Sequence, residues 1–156
     1  MSLPLALSSC GAVSDLFACR DGYSRPDVGA LSQALRAARL KWQAATVQNY
    51  SYEIDQFSAP VGFPRVRVTV KNGEAISTEP VNPQDAGRPF VIGSTLDQRF
   101  DDVASLISAA STTACQEVSA TYDATDGHPL NVYSGTALKG VEDGFGAWTI
   151  SSFTGL

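Results

Sequence analysis

Arg65-Val66-Arg67-Val68-Thr69-Val70-Lys71-Asn72-Gly73 alternates three valines with Arg65, Arg67 and Thr69, then runs into an Asn-Gly pair. Successive side chains of a strand point to opposite faces, so this stretch specifies one apolar and one wet face, the pattern of an antiparallel sheet covered on one side. The turn that follows sets the register, because a slip of one residue sends every side chain to the wrong face. A two-residue Asn72-Gly73 loop would pair Val68 with Ser77 and leave Ile76 facing out. A three-residue loop, with Gly73 in the left-handed region as a bulge, pairs Val68 with Ile76 and is the expectation adopted. The same test at Thr125, Asp126 and Gly127 pairs Tyr122 with Leu130 and Ala120 with Val132.

Working outward, residues 49–57 place Tyr50, Tyr52 and Ile54 on one parity and Glu53 and Asp55 on the other, where they can face Arg65 and Arg67. Strand-like runs at 64–70 and 74–79 follow. Before them, Leu31, Leu35, Ala38, Trp42 and Ala45 recur at helical steps, predicting a helix over 30–48 with a solvated basic face. After the Pro- and Gly-bearing connection 80–93, Leu96, Phe100, Val103, Ile107 and Ala110 stripe a second helix over 95–110, and Thr95 with Gln98 makes a capping box. Three further strands are expected at 117–124, 128–134 and 145–153. The order α-β-β-β-α-β-β-β describes an α+β fold with two helices packed on one face of a mainly antiparallel sheet. Residues 30–156 form one expected domain, preceded by an irregular segment 1–29. Tyr50, Tyr52, Tyr122 and Trp148 have inward parity and read as core, whereas Phe57, Phe63, Tyr133 and Phe153 have outward or loop parity and form a candidate interaction face.

The chain has 156 residues, one domain's worth, and 44% hydrophobic against 17% charged residues excludes intrinsic disorder. Eleven basic and sixteen acidic residues leave a net charge of -5, which argues against nucleic acid as a partner. Three cysteines are an odd number, and in an oxidising compartment one needs a separate role. Leu7-Ser8-Ser9-Cys10-Gly11 reads as a lipobox at the end of a shortened export signal, which would make Cys10 a lipidation site and place the protein outside the cytoplasm, anchored to a bacterial cell membrane or secreted. The alternative is a short apolar start with a Cys by chance. With Cys10 acylated, Cys19 and Cys115 remain to pair in a disulfide; free thiols or a Cys10 to Cys19 link are the alternatives.

Chemistry is thinly signalled. His128 is the only imidazole, so an acid/base or triad mechanism would have to use it with Asp123 or Asp126; a hydrogen-bonded turn residue is the plainer reading. Asp123 and Asp126 lie three apart, not the two of a calcium loop, and the cysteines lack zinc spacing. Glu142 and Asp143 sit between glycines in an acidic loop, and Gly144 and Gly146 precede a strand, so they make no phosphate cradle. No cofactor and no metal are expected.

Trp42 followed by Tyr50-Ser51-Tyr52-Glu53, the strand and turn Val66 to Gly73, Thr95-Leu96-Asp97 leading to Phe100, Val118 to Asp123 with Gly127 and Pro129, and the closing Trp148 to Phe153 resemble an uncharacterised, domain-of-unknown-function family of small bacterial secreted lipoproteins. The resemblance covers roughly residues 31–153 and implies compartment and architecture but no activity. Members of that family carry a Cys pair just after the first strand, where this chain has Ser58, Ala59 and Pro60, so its disulfide plan departs from theirs. The expectation is a non-enzymatic, lipid-anchored binding or interaction protein with an unidentified protein partner. The alternatives are a small hydrolase using His128 with Asp123 or Asp126, and a pocket between sheet and helices for a small apolar ligand, which a closed, fully packed interface between Trp42, Phe100 and the sheet would rule against.

Overall fold

In the computed structural model the described residues are 18–156; Cys10 and the lipobox lie outside them. Helix α1 (Val28–Ala45) begins at Asp27, whose carboxylate accepts the Ala30 N–H, and buries Leu35, Ala38 and Trp42. Strands β1 (Tyr50–Ser58), β2 (Val61–Gly62), β3 (Val66–Lys71) and β4 (Glu74–Pro80) follow, then a 3-10 turn at Pro83–Asp85. Helix α2 (Leu96–Thr112) opens with the expected capping box, the Thr95 hydroxyl accepting from the Gln98 N–H and the Gln98 side chain accepting from the Thr95 N–H. Strands β5 (Gln116–Tyr122), β6 (Pro129–Thr136) and β7 (Phe145–Gly155) complete the chain. The two-residue β2 is a short return beside β1, entered through a cis Ala59–Pro60 bond, and is the one strand added to the expected order.

The strands form one antiparallel sheet in the order β4-β3-β1-β7-β6-β5, with β2 beside β1. Each half is thus a helix followed by a meander, but the halves join through the first strand of one and the last of the other. Both helices cover one face. Val66, Val68 and Val70 are 0–1% exposed under them, with Tyr50, Tyr52, Ile54 and Phe100, while Arg65 and Arg67 lie exposed on the opposite face. There Arg65 Nε donates to Asp55 at 2.8 Å and Arg67 to Glu53 at 2.5 Å, the pairing anticipated from strand parity. The Asp55 carboxylate holds the Arg65 guanidinium above its usual pKa.

Both hairpin turns differ from expectation. Lys71 pairs with Glu74, so the first loop has two residues, with Asn72 at φ 51° and Gly73 at φ 75°; two left-handed residues match the twist of the flanking strands. A bulge then opposes Val70 to Ala75 and Thr69 to Ser77, giving Val68 to Thr78 and leaving Ile76 outside at 55% exposure. The place intended for Ile76 is filled from elsewhere: the backbone of Gly93 lies on Val68, where an added Cβ would stand 2.1 Å from Val68 Cγ2, and its N–H donates to the Thr78 hydroxyl. In the second hairpin Ala120 pairs with Val132 as expected, but Tyr122 pairs with Pro129, not Leu130. Asp123 N–H donates to the His128 carbonyl, which lengthens the loop to residues 124–127.

Cys19 and Cys115 are joined by a disulfide with Cα atoms 5.3 Å apart, tying the start of the described chain to the entry of β5. No helix among the described residues is long and apolar enough to cross a membrane.

Candidate functional site

Coverage of the sheet stops short of one end. On α2 the core stripe Leu96, Phe100, Val103 and Ile107 points at the sheet, and α1 packs along one flank of it, where Arg39 donates to Asp101 at 2.5 Å and Trp42 Nε1 to Asp97 at 3.4 Å. Helical spacing puts Arg99, Asp102 and Leu106 on the opposite flank. No helix among the described residues packs there, and between this flank and the end of the sheet lies a groove of about 700 Å³. Its apolar walls come from Trp148, Val132, Leu106, Val91 and Phe63, and its polar groups from Gln56, Ser58, Gln116 and Ser134, of which Gln116 donates to Ser134 at 3.0 Å. The loop bearing Asp143 and Gly144 forms one rim. The volume falls in the range of small-molecule sites, about 300–1,000 Å³, and an apolar lining with a few polar groups is their usual chemistry.

Arg99 lies beside the groove-lining Trp148 but is not itself among the residues that line the groove. It is 6% exposed, its guanidinium carbon lies 5.4 Å from the centroid of the groove-lining Trp148 ring, and among the described residues its one ion pair is a 3.4 Å contact from Nη1 to Asp102, whose side chain is 53% exposed. Its Nε has no acceptor among the described residues. Burial raises the pKa of the Tyr52 hydroxyl, and the Arg99 charge beside it pulls the other way.

The four aromatics of the candidate interaction face separate. Phe57 and Tyr133 lie on the face away from the helices and meet across Phe145, with ring centroids 5.4 and 6.0 Å from it; Phe57 is 38% and Phe145 36% exposed. Phe63 lines the groove, and Phe57 and Phe145 border it as well. Phe153 is a correction: it points inward, 5.9 Å from Trp42, 5.8 Å from Tyr50 and 4.6 Å from His128. The cause is a bulge in β7, where Ser151 pairs with Glu53 but Thr154 with Ser51, and Ser152 takes φ 50°; the extra residue reverses the parity beyond it. Trp148 keeps its inward parity, but it lines open space instead of packed core. Phe145 escaped notice although its outward parity with Ala147 was legible, and Arg99 gave no signal, since a single Arg in a helix reads as solvated.

Asp123, Asp126 and His128 do come together, their potential ligand atoms within 4.8 Å of one another. The arrangement is that of a locked turn. Asp123 Oδ1 accepts from Asp126 N at 3.1 Å and Thr125 N at 2.7 Å, which holds its carboxyl below the usual range. Asp126 Oδ1 accepts from the His128 N–H at 3.0 Å and contacts Nδ1 at 2.5 Å, while the buried imidazole stacks on Phe153. Gly127, at φ 83°, sits where a Cβ would be 2.2 Å from the Ala38 carbonyl, docking the turn on α1. Glu142 and Asp143 are exposed in their loop.

No curated protein matches this chain. Residues 34–154, spanning α1 from its second turn onward, all of α2 and all seven strands apart from the last residue of β7, match a family of unknown function, DUF6174, and the chain belongs to that family.

Proposed function

We propose that this protein is a non-enzymatic, extracytoplasmic binding module, held at a bacterial membrane through Cys10, that takes a small apolar or amphiphilic molecule into the groove beside α2. The observation that carries the binding role is the contrast on one sheet face. Around Trp42 and Phe100 the interface is closed, which rules against the small-ligand pocket anticipated there; the open space lies instead at the end bordered by Trp148, Val132 and Leu106. The locked turn at His128 speaks for a structural use of that residue. Export is supported by the Cys19 to Cys115 bridge, a bond that persists in oxidising compartments, together with the Leu7 to Gly11 stretch.

The test is a titration with the apolar fluorophore 1-N-phenylnaphthylamine. Saturable one-to-one binding is expected, lost in Ser134→Phe, which fills the groove from its polar side. Binding that is absent, or unchanged in the variant, overturns the reading. Anchoring is tested separately by mass spectrometry of the full-length product from its native host, where an unmodified Cys10 removes it. A second reading, a protein partner, is favoured by the row of exposed Phe57 and Phe145 with half-buried Tyr133. It predicts a captured partner that Phe57→Ser and Phe145→Ser both release; a partner retained by both discards it.

A further inference from the structure

We infer that the end of the sheet carrying Phe57, Val61 and Phe145 is a lipid-contacting surface that seats the domain on a zwitterionic bilayer. This rests on anchoring of the chain through Cys10 and adds which face of the domain meets the membrane. At this end β1 finishes and β7 begins, with Phe57 opposite Ala147, and β6 finishes opposite Phe145. The turn through Pro60 returns Val61 beside Ser58. Phe57, Phe145 and Val61, at 38%, 36% and 50% exposure, are thus neighbours, and the two phenyl rings stack at 5.4 Å. Of the large hydrophobics exposed among the described residues, these two are the aromatic ones. Exposed Phe gathered on one face is a common means of holding a protein in the headgroup layer, with the apolar groups entering the acyl boundary.

The tether leaves from the same end. The Lys139 N–H donates to the Ala18 carbonyl at 2.9 Å and the Arg20 N–H to the Ala137 carbonyl at 2.6 Å, while the disulfide fixes Cys19 to Cys115 at the entry of β5. Cys10 lies nine positions before Cys19, a reach of about 30 Å at full extension, so a lipid on Cys10 keeps this end close to the bilayer. Strand β7 runs for 11 residues, about 36 Å, and a domain standing on its opposite end would need a longer tether than that. Charge selects the kind of lipid. Arg20 pairs with Glu117 and Lys139 with Asp21, while Glu142 and Asp143 are exposed in the adjoining loop, so no basic excess at this end draws anionic headgroups. The net charge of -5 opposes an anionic surface further.

The experiment uses the full chain, its Cys19 to Cys115 bridge intact and its Cys10 thiol coupled to a maleimide-bearing lipid in phosphatidylcholine vesicles. A Trp is placed by Phe145→Trp or, on the edge strand, by Ile76→Trp, and its emission is compared with wild type on plain vesicles and on vesicles of phosphatidylcholine brominated near the headgroup. The Phe145→Trp signal should fall about twofold on the brominated lipid and the Ile76→Trp signal should stay unchanged, as expected of a ring seated at the acyl boundary. Adding Phe57→Ser and Val61→Ser to Phe145→Trp should remove most of that fall. Replacing part of the phosphatidylcholine by phosphatidylglycerol should weaken it. Absence of quenching at Phe145→Trp, equal quenching at Ile76→Trp, or quenching that grows with phosphatidylglycerol overturns the inference. So does a solution mass of two chains with Phe145→Trp shielded from iodide, which assigns the row to a second copy. Because the coupling supplies the anchor, a failure here strikes the lipid contact alone, whereas an unmodified Cys10 in the native host strikes the anchoring reading and the premise of this inference.

Discussion

The helix-covered face of the sheet has two ends built from similar residues and used differently. At one end Tyr50 and Tyr52 of the sheet and Phe100 of α2 are 0–1% exposed, with Trp42 edge-on to Tyr50 at 5.4 Å. At the other, Trp148 on the same face is only partly buried and borders a groove of about 700 Å³. The cause is simple: α1 lies along one flank of α2 and leaves the other uncovered. An aromatic side chain on an inward parity is therefore not evidence of core by itself. What decides is whether a second layer reaches it.

This contrast is most directly broken by truncating one aromatic at each end. Phe100→Ala should cost about 3–5 kcal/mol in urea unfolding, the range for a fully buried ring. Trp148→Ala should cost less than half as much and abolish binding of an apolar probe. Equal losses of stability would erase the distinction between the ends. Next in size is the Cys19 to Cys115 bridge, which closes a loop of 96 residues at the edge strand. Replacing both residues by Ser should cost about 2–4 kcal/mol, read as a lower unfolding midpoint, with groove binding retained because neither residue lines it.

Alkaline pH probes the packed end and the second hairpin. Burial pushes the Tyr50 and Tyr122 hydroxyls up to about 12. Because these folded-state values lie above the unfolded value near 10, the stability the neutral phenols contribute is present below pH 10 and is lost as pH rises from 10 toward 12. Unfolding free energy should fall in that window by less than about 2.7 kcal/mol per residue, the ceiling set by two pKa units before solvent screening, and Tyr122→Phe should reduce the fall. The smallest effect is expected at the first turn. Asn72→Ala places an Ala at φ 51° and should cost about 1 kcal/mol with no change at the groove.

Much of the fold was legible because it rests on parity and periodicity. The valines of 66–70, the Leu96 to Ala110 stripe and the Thr95 capping box each carry their own signal, and each stands where the sequence puts it. Illegible features come from one extra residue or from a distant backbone. The bulge at Ser152 turned Phe153 inward, and the bulge after Val70 released Ile76, whose place Gly93 takes from 25 residues beyond Val68. The groove escaped the sequence for a related reason. Its members Phe63, Val91, Leu106, Val132 and Trp148 come from three strands' surroundings, a connection and a helix flank, and an open end depends on where α1 stops covering, which no local pattern records.

The central claim, that the uncovered end is where this protein binds, is tested most directly by amide NMR during titration with 1-N-phenylnaphthylamine. The account predicts shift changes gathered at 56–58, 132–135 and 144–148 and on α2 around Leu106, with the amides of Tyr50, Tyr52 and Val68 unmoved. Changes centred on Ile76 and Ile92, or spread evenly over the molecule, would contradict it.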